Sequence, residues 1–448
     1  MKSILRIVSF ILVCIIALGC FVACDDEKLS QEDTEESQEE LNSGSEGEES
    51  EEPEDESGSS TKKKPTAQNK NRILRQDLSK YKFVVSADAS EELKFATSRV
   101  CSAAAKSWGS ESEIKTDDYA TGAQEEYEIL VGETNRTESS KKKSKLKSGE
   151  GGYAIDGSKI TILGYTENET LAALDMFYFD RVMFAATNSI FFTDNDNFSA
   201  DLSKYVSVMS FNIYMGIDSD AEKKANAISL IRAYSPDVFG VQEATAKWQV
   251  ALKDEFAKDY HVVGIGRDAN GSGEAMLVFV KKSKFNIKSS GTKWLSSTPD
   301  KVSKVEMSAC NRIVTYAVIE RISDGKLFNY ANTHIDHVGG QDEQIKYLGQ
   351  IIDANMQSGA PTFVTGDFNL TPDQEAFATM VAQGYTPSYE LAKKGDSKKV
   401  GTFGSSAVID YLFVRNGTNV DTYLYKVCNE TDYGKHSDHY PVFNILKF

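Results

Sequence analysis

The sequence predicts an α/β protein: stacked sheets flanked by helices over residues 202–448, preceded by a small α+β domain over 71–200. Three observations predict it. Short apolar runs alternate with segments of helical period through both regions, so strands and helices share each domain. Polar residues gather where the apolar runs of the second region end, the place where α/β sheets carry chemistry. A length of 448 residues suits two or three domains rather than one.

Residues 1–24 open with Lys2 and Arg6 and continue in an apolar run from Ile7 to Ala23, the shape of an export signal. The end of the run, Phe21-Val22-Ala23-Cys24, resembles a bacterial lipobox, which implies lipidation at Cys24. Cys20, after Ala17-Leu18-Gly19, is the second candidate, and an uncleaved membrane anchor is the alternative reading. Either one places the body outside the cytoplasm, tethered to the outer face of the cell membrane. Residues 25–60 carry 17 Asp/Glu against one lysine, and 25–70 hold almost nothing apolar, so this stretch is an extended acidic spacer. The formal charge of −17 therefore belongs to the tail, and residues 61–448 carry a net of −3. Net charge then implies neither strong attraction to nucleic acid nor strong exclusion of it. Cys101, Cys310 and Cys428 are scattered without metal-site spacing and read as small apolar residues.

In 71–200, Tyr81–Val85 and Tyr127–Val131 read as strands, and Glu91–Ser107 as a helix with Leu93, Ala96, Val100, Ala103 and Ala104 inward. Gly152–Asp156 and Lys159–Leu163 form a hairpin about Asp156-Gly157, and Glu169–Val182 is a second helix. Lys141, Lys142, Lys143, Lys145 and Lys147 read as a basic, solvated loop rather than a phosphate patch. Glu128–Arg136 with the later hairpin and helix resembles the accessory domain that precedes catalytic barrels in several glycoside hydrolases, which implies glycan contact as a role for 71–200.

In 202–448, strands are expected at Val206–Asn212, Val238–Gln242, Ala275–Lys281, Ile313–Glu320, Leu327–Asn332, Thr362–Thr365, Ile409–Val414 and Val442–Leu446, and helices at Ala221–Tyr234 and Gln341–Met356. The strand entering Gly366-Asp367-Phe368-Asn369 is the focus. Residues i and i+2 of an extended end share a face, so Asp367 and Asn369 should point out of the sheet together. The other strand ends add Asn212, Gln242-Glu243, Thr333-His334-Ile335-Asp336-His337, Ile409-Asp410 and Ser437-Asp438-His439. Three of the protein's five histidines fall in these pieces, and His436 directly precedes one of them, which chance scatter explains poorly.

The residue types fit hydrolysis of a phosphate ester. Mg²⁺ takes a few oxygen ligands and keeps waters, and Glu243 and Asp438 supply carboxylates for it; Mn²⁺ and Ca²⁺ suit the same donors. A histidine held by a carboxylate activates water near neutral pH, and His439 with Asp410 is such a pair. Asn212, Asn369 and His334 offer neutral donors to the phosphoryl oxygens. Asp336 and His337 raise zinc alongside His334, but no cysteine lies near and magnesium is preferred.

These pieces, in this order, resemble the endonuclease/exonuclease/phosphatase superfamily, whose fold is a four-layer αββα sandwich like that of the deoxyribonucleases. The resemblance covers essentially all of 202–448. It implies that Asn212 and Glu243 begin the metal site and that Asp438 helps hold the ion. It implies that Glu274 orients a catalytic His334, that Arg312 contacts phosphate, and that Asp367 and Asn369 bind the scissile phosphate and the attacking water. Asp410 orients His439, and Asp367 and His439 both remain candidates for the water's proton. Trp294–Asp300, Arg312 and Thr333–His337 resemble a bacterial branch of secreted or surface hydrolases. Ser272 stands where pancreatic-type deoxyribonucleases carry tyrosine, and Val408-Ile409 precedes Asp410 where many relatives carry Arg or His. Both departures, with the lack of a basic aromatic stripe, weigh against DNA groove binding. The expected substrates are nucleic acid, a phospholipid headgroup or a phosphodiester-linked surface polymer, hydrolysed by a monomer. The alternatives are a sphingomyelinase-like or inositol-phosphate-type enzyme, and a glycan-binding surface protein with an inert hydrolase region.

Overall fold

Four sheets order the residues that the computed structural model describes, which are 71–119, 125–184, 187–404, 406–416, 419–429 and 433–448. The expected export segment, with Cys24, and the expected acidic spacer 25–70 lie outside them. All described residues belong to one compact unit, and no helix among them is long and apolar enough to cross a membrane.

The first part contains β1 (Arg72–Leu74), β2 (Lys82–Val85), β3 (Lys115–Thr116), β4 (Glu128–Val131), β5 (Glu150–Asp156), β6 (Lys159–Gly164), β7 (Ile190–Thr193) and β8 (Phe198–Asp201). Its main sheet runs β3-β2-β4-β6-β5-β8, and β1 pairs with β7. The β3-β2-β4-β6 portion is parallel, which helical crossovers such as Glu91–Trp108 make feasible. That helix begins at Ser90, whose hydroxyl accepts from the Leu93 amide, and stops at Gly109 in the left-handed region (φ +72°). The hairpin closes at Asp156 and Lys159, with Gly157 at φ +65°. The basic loop is corrected in part: Thr137–Lys143 is a short helix, and Lys141 and Lys143 pair with Asp156 and Glu133. The second helix is α over Glu167–Phe177 and continues as a wider turn over Tyr178–Met183.

The second part contains β9 (Tyr205–Asn212), β10 (Val238–Ala244), β11 (Tyr260–Val263), β12 (Ala275–Lys281), β13 (Phe285–Trp294), β14 (Ile313–Arg321), β15 (Leu327–His334), β16 (Thr362–Asp367), β17 (Thr386–Pro387), β18 (Lys394–Gly395), β19 (Asp410–Arg415), β20 (Asp421–Val427) and β21 (Val442–Lys447). One sheet runs β11-β12-β10-β9-β21-β20-β18, the other β13-β14-β15-β16-β19-β17. Val206, Val238 and Val278 of the first meet Ala317, Phe328, Phe363 and Leu412 of the second in a shared core. Helices Gln341–Asn355 and Glu375–Ala382 cover the outer face of the second sheet, packing Ile345, Leu348 and Phe377 on Val364 and Phe413. Helices Ala221–Tyr234 and Ala246–Phe256 cover the first, so the layers stack helix, sheet, sheet, helix.

The outermost layer does not end at water. Helix Glu91–Trp108 lies on helix Ala221–Tyr234, and one core continues from Leu93, Val100 and Phe177 into Ile231, Tyr234 and Phe443. At the seam Arg99 is buried, with its guanidinium 4.4 Å from the Tyr178 ring, 4.5 Å from the Tyr234 ring and bonded to Asp175. Glu92 adds a 2.8 Å ion pair to Lys281.

Candidate active site

The carboxyl ends of both sheets deliver polar side chains to one place. Asn212 closes β9 and stands in register with Gln242 of the parallel strand β10. The next residue, Glu243, takes a left-handed backbone (φ +62°) where the β10–β12 register slips, which turns its carboxylate out of the sheet. Its Oε1 accepts from Asn212 Nδ2 (3.0 Å) and its Oε2 from the Met215 amide (2.8 Å). On the second sheet, His334 ends β15, Asp367 ends β16 and Asp410 begins β19. Register places them as cross-strand neighbours on one rung. His439 arrives on the loop before β21, where the Ser437 hydroxyl accepts from the His439 amide and donates to the Asn212 carbonyl.

Asp367 is the hub. Asn212 Nδ2 donates to its Oδ2 (3.0 Å), which lies 3.4 Å from His334 Nε2 and 3.7 Å from His439 Nε2. His439 Nδ1 donates to Asp410 Oδ2 (2.8 Å), so its Nε2 faces Asp367. Asn369 does join Asp367, but not by strand alternation as expected. The strand stops at Asp367, and Asn369 turns back with φ +47°, donating its amide to Asp367 Oδ1 (2.9 Å) and its side-chain nitrogen to His334 Nε2 (3.1 Å).

The charges oppose one another. Burial and then Asp410 push Asp367 up to about 7. Burial also opposes charge on His439, but the Asp410 carboxylate outweighs it and lifts the imidazole to about 9. His334 goes the other way: burial and the Arg312 charge hold it neutral, well below the ordinary histidine range. Asp367 therefore stands between a histidine that keeps its proton, His439 on its loop, and a histidine that refuses one, His334 on the same rung.

Glu274 does not orient His334. Both of its oxygens take the Arg267 guanidinium (2.6 and 2.9 Å), because a planar fork satisfies a carboxylate better than one ring nitrogen. His334 Nδ1 is left without a partner among the described residues. Arg312 is buried beside the site, where its Nε donates to Asp336 (3.2 Å) and its Nη2 lies 3.4 Å from His337 Nδ1. Asp336 also accepts from the Cys310 and Val338 amides, so it is spent on Arg312 and its own turn rather than offered to zinc with His334. Sequence reasoning missed Arg267 and Phe403, whose ring packs 4.7 Å from that of His439. A charged residue seven positions before Glu274 was the only signal for the first.

The Asp336 environment has a measurable consequence. The Val338 amide and Arg312 overcome burial and hold its carboxyl down to about 2. A depressed carboxylate stabilises the fold above about pH 4, and that contribution, about 2 kcal/mol, is lost as pH falls through about 2. Acid titrations of wild type and Asp336→Asn followed by urea melts should therefore show a gap at pH 7 that closes near pH 2. A gap of constant size would mean that Asp336 is not held this way.

Whether the residues suit a divalent cation follows from their charges. No lysine or arginine among the described residues pairs with Glu243, Asp438 or Asp410. Burial first and then Glu243 push Asp438 up, against the pull of His439, as expected for carboxylates short of cations. Asp367, Asp410 and His439 offer ligand atoms within 4.8 Å of one another, but Asp410 is committed to His439 Nδ1. Glu243 and Asp438, with the Asn212 carboxamide, are the freer oxygen donors.

Residues 209–439, just over half of the chain, match the sequence profile of the Endonuclease/Exonuclease/phosphatase family. The chain belongs to this family. Its members are phosphoester hydrolases of phosphatase and nuclease type, and the four layers described above are its sandwich fold. Among solved structures, a family member from Bacteroides vulgatus is 26% identical with a TM-score of 0.50, covering 55% of this chain and 99% of its own. A mannosyl-6-phosphatase from Bacteroides thetaiotaomicron is 25% identical with a TM-score of 0.49, covering 54% and 100%. The human nocturnin catalytic domain is 19% identical with a TM-score of 0.45, covering 55% and 95%. No curated protein matches the chain.

Proposed function

We propose that the chain is a divalent-metal-dependent phosphoester hydrolase that works outside the cell, held to the outer face of the membrane by a lipid at Cys24. The observation that carries the catalytic part is the single cluster in which Asp410 holds His439 and His439 faces Asp367 across 3.7 Å, ringed by Asn212, His334 and Asn369. In this reading Asn212, Glu243 and Asp438 hold the ion, and Asn369 with Arg312 orients the phosphate. When bound, the ion neutralises phosphoryl oxygens and its charge favours the proton-free forms of His439 and Asp367. An all-oxygen donor set favours Mg²⁺, with Mn²⁺ and Ca²⁺ as substitutes.

His439 Nε2 and Asp367 Oδ2 share the proton removed from the attacking water. Asp410 keeps the imidazole in the tautomer that presents Nε2. Neutral His334 accepts from Asn369 at Nε2 and so holds that carboxamide in place, and the two asparagine amides donate to the oxygens on which charge grows as the phosphorus–oxygen bond to the leaving group breaks. A neutral donor there adds no fixed charge that would trap the product phosphate.

The substrate is an extracellular phosphate ester, and the acidic segment spaces the body from the membrane. The test is turnover of bis-(4-nitrophenyl) phosphate and 4-nitrophenyl phosphate by residues 71–448 with Mg²⁺, Mn²⁺ or Ca²⁺, against EDTA. Metal-dependent release from the diester supports a phosphodiesterase, and release from the monoester alone moves the assignment to a phosphatase. Turnover that survives EDTA would refute metal dependence. Palmitate labelling of the full chain, lost in Cys24→Ala, tests the anchor.

A further inference from the structure

Asp410 is aimed with little help from its own side chain. Its Oδ2 is bonded to His439 Nδ1, and its Oδ1 is buried without a partner among the described residues. The direction of the carboxylate therefore rests on the main chain where β19 begins. Towards β16 that main chain is fixed by the register of Asp410 with Asp367 and by the Phe368 amide on the Ile409 carbonyl (2.8 Å). On the far side of β19 the sheet offers nothing at this level, because β17 pairs only with Phe413 and Val414. The Ile409 and Asp410 amides need an acceptor from elsewhere, since an unpaired buried amide costs about as much as a lost hydrogen bond.

Thr402 supplies it. The residue is fully buried on the connection between β18 and β19, and its Oγ1 accepts from both amides at 3.1 Å. The connection keeps its shape through the Ala407 carbonyl, which accepts from the Thr402 and Phe403 amides (2.8 and 3.0 Å). Thr402 also reaches the other member of the pair. Its carbonyl accepts from the amide of Tyr440, the residue after His439 (2.7 Å), and its neighbour Phe403 forms a β-bridge with His439. The Thr402 side chain thus holds the backbone that carries Asp410, while its own peptide holds the backbone that carries His439.

We infer that Thr402 is a positioning residue for water activation: its hydroxyl and its carbonyl together keep Asp410 Oδ2 in reach of His439 Nδ1. The inference rests on the phosphoester reading above and adds to it the residue that keeps the pair assembled. Thr402 acts on Asp410 and on the His439 backbone, so its loss should appear in kcat and leave KM near the wild-type value. A misplacement of about 1 Å within such a pair is of the size that lowers the rate about a hundredfold.

The test places Thr402→Val and Thr402→Ser in the full-length wild type and in His439→Ala. It follows Mg²⁺-dependent turnover of the 4-nitrophenyl esters, with thermal melting alongside. Valine keeps the shape and removes the oxygen, and serine keeps the oxygen. Thr402→Val should lower kcat about a hundredfold with KM within about threefold, and Thr402→Ser should stay within about threefold of wild type. In His439→Ala, Thr402→Val should remove only about twofold more, because the pair it serves is already gone. A merely structural role would cost the same factor in both backgrounds; that result, or a Thr402→Val protein at the full rate, overturns the inference. If Thr402→Val does not fold, Thr402→Ala, which loses the same oxygen without the branch, takes its place. Proton NMR adds a readout that needs no turnover. The far-downfield His439 Nδ1 proton, identified by its loss in His439→Ala, should move upfield or vanish in Thr402→Val and persist in Thr402→Ser. A resonance unmoved by Thr402→Val overturns the role of Thr402. A wild type that shows the resonance but turns over neither ester overturns the hydrolase reading beneath it.

Discussion

His439→Ala should lower kcat/KM by about 10³–10⁴, and adding Asp410→Asn to it should remove little more. Positioned acid–base groups contribute rate factors of that order. The two residues act as one unit, because Asp410 Oδ2 holds His439 Nδ1 at 2.8 Å. Groups that act as a unit are strongly non-additive when removed together. Asp410→Asn alone should fall between wild type and His439→Ala, since the asparagine still reaches Nδ1 but offers no charge. It should also bring the imidazole down from about 9, the level that the Asp410 carboxylate sustains. Proton NMR of the His439 ring across pH 5–10 checks that shift separately from rate. Independent, multiplicative losses in the double variant would break the pairing.

The second large effect lies far from the chemistry. Arg99→Met should cost about 3–5 kcal/mol of stability, the usual result of stripping one partner from a buried ion pair. Asp175 would then be buried with nothing to balance it. It is already held up to about 6 by burial despite its partner, whereas Arg99 is held firmly charged. The imbalance is physical: the guanidinium has two ring faces as well as the carboxylate, whereas the carboxylate, buried and facing Asp237, has the guanidinium and the more weakly felt charge of Lys281. The folded-state level of Asp175 lies above its unfolded one, so its ionisation costs stability as pH rises. The deficit of Arg99→Met should therefore be larger at pH 8 than at pH 5. Arg99→Met with Asp175→Leu should recover most of it. Chemical denaturation of the four proteins at both pH values gives the cycle, and a deficit that the second substitution deepens would mean that the seam is not held by this pair.

The site was legible because its chemistry sits where strands stop. His334, Asp367 and Asp410 each terminate or begin an apolar run, and pairing of the runs brings them to one rung. Asn369 was found for a partly wrong reason, because a left-handed turn rather than the pleat returns it to Asp367. Glu274 was misassigned because partner choice is settled in three dimensions: Arg267 is near it in sequence, yet only the folded loop shows that it wins over His334. Strand β13 escaped notice because Asn286, Ser289, Ser290 and Gly291 carry no apolar alternation, as befits a sheet edge. The Glu91–Ser107 helix was found from its apolar face, but nothing in its pattern marks Arg99 as buried. A buried arginine is explained only by the rings and the carboxylate that other elements bring to it.

The most direct test of the account replaces its hub. Asp367→Asn is nearly isosteric and keeps an acceptor for the Asn369 amide, so folding should survive, which thermal melting confirms or denies. In the Mg²⁺ assay of the 4-nitrophenyl esters, the account predicts that metal-dependent turnover by residues 71–448 drops at least 10³-fold in this variant while the melting temperature stays within a few degrees. Full metal-dependent activity in a folded Asp367→Asn protein would contradict it.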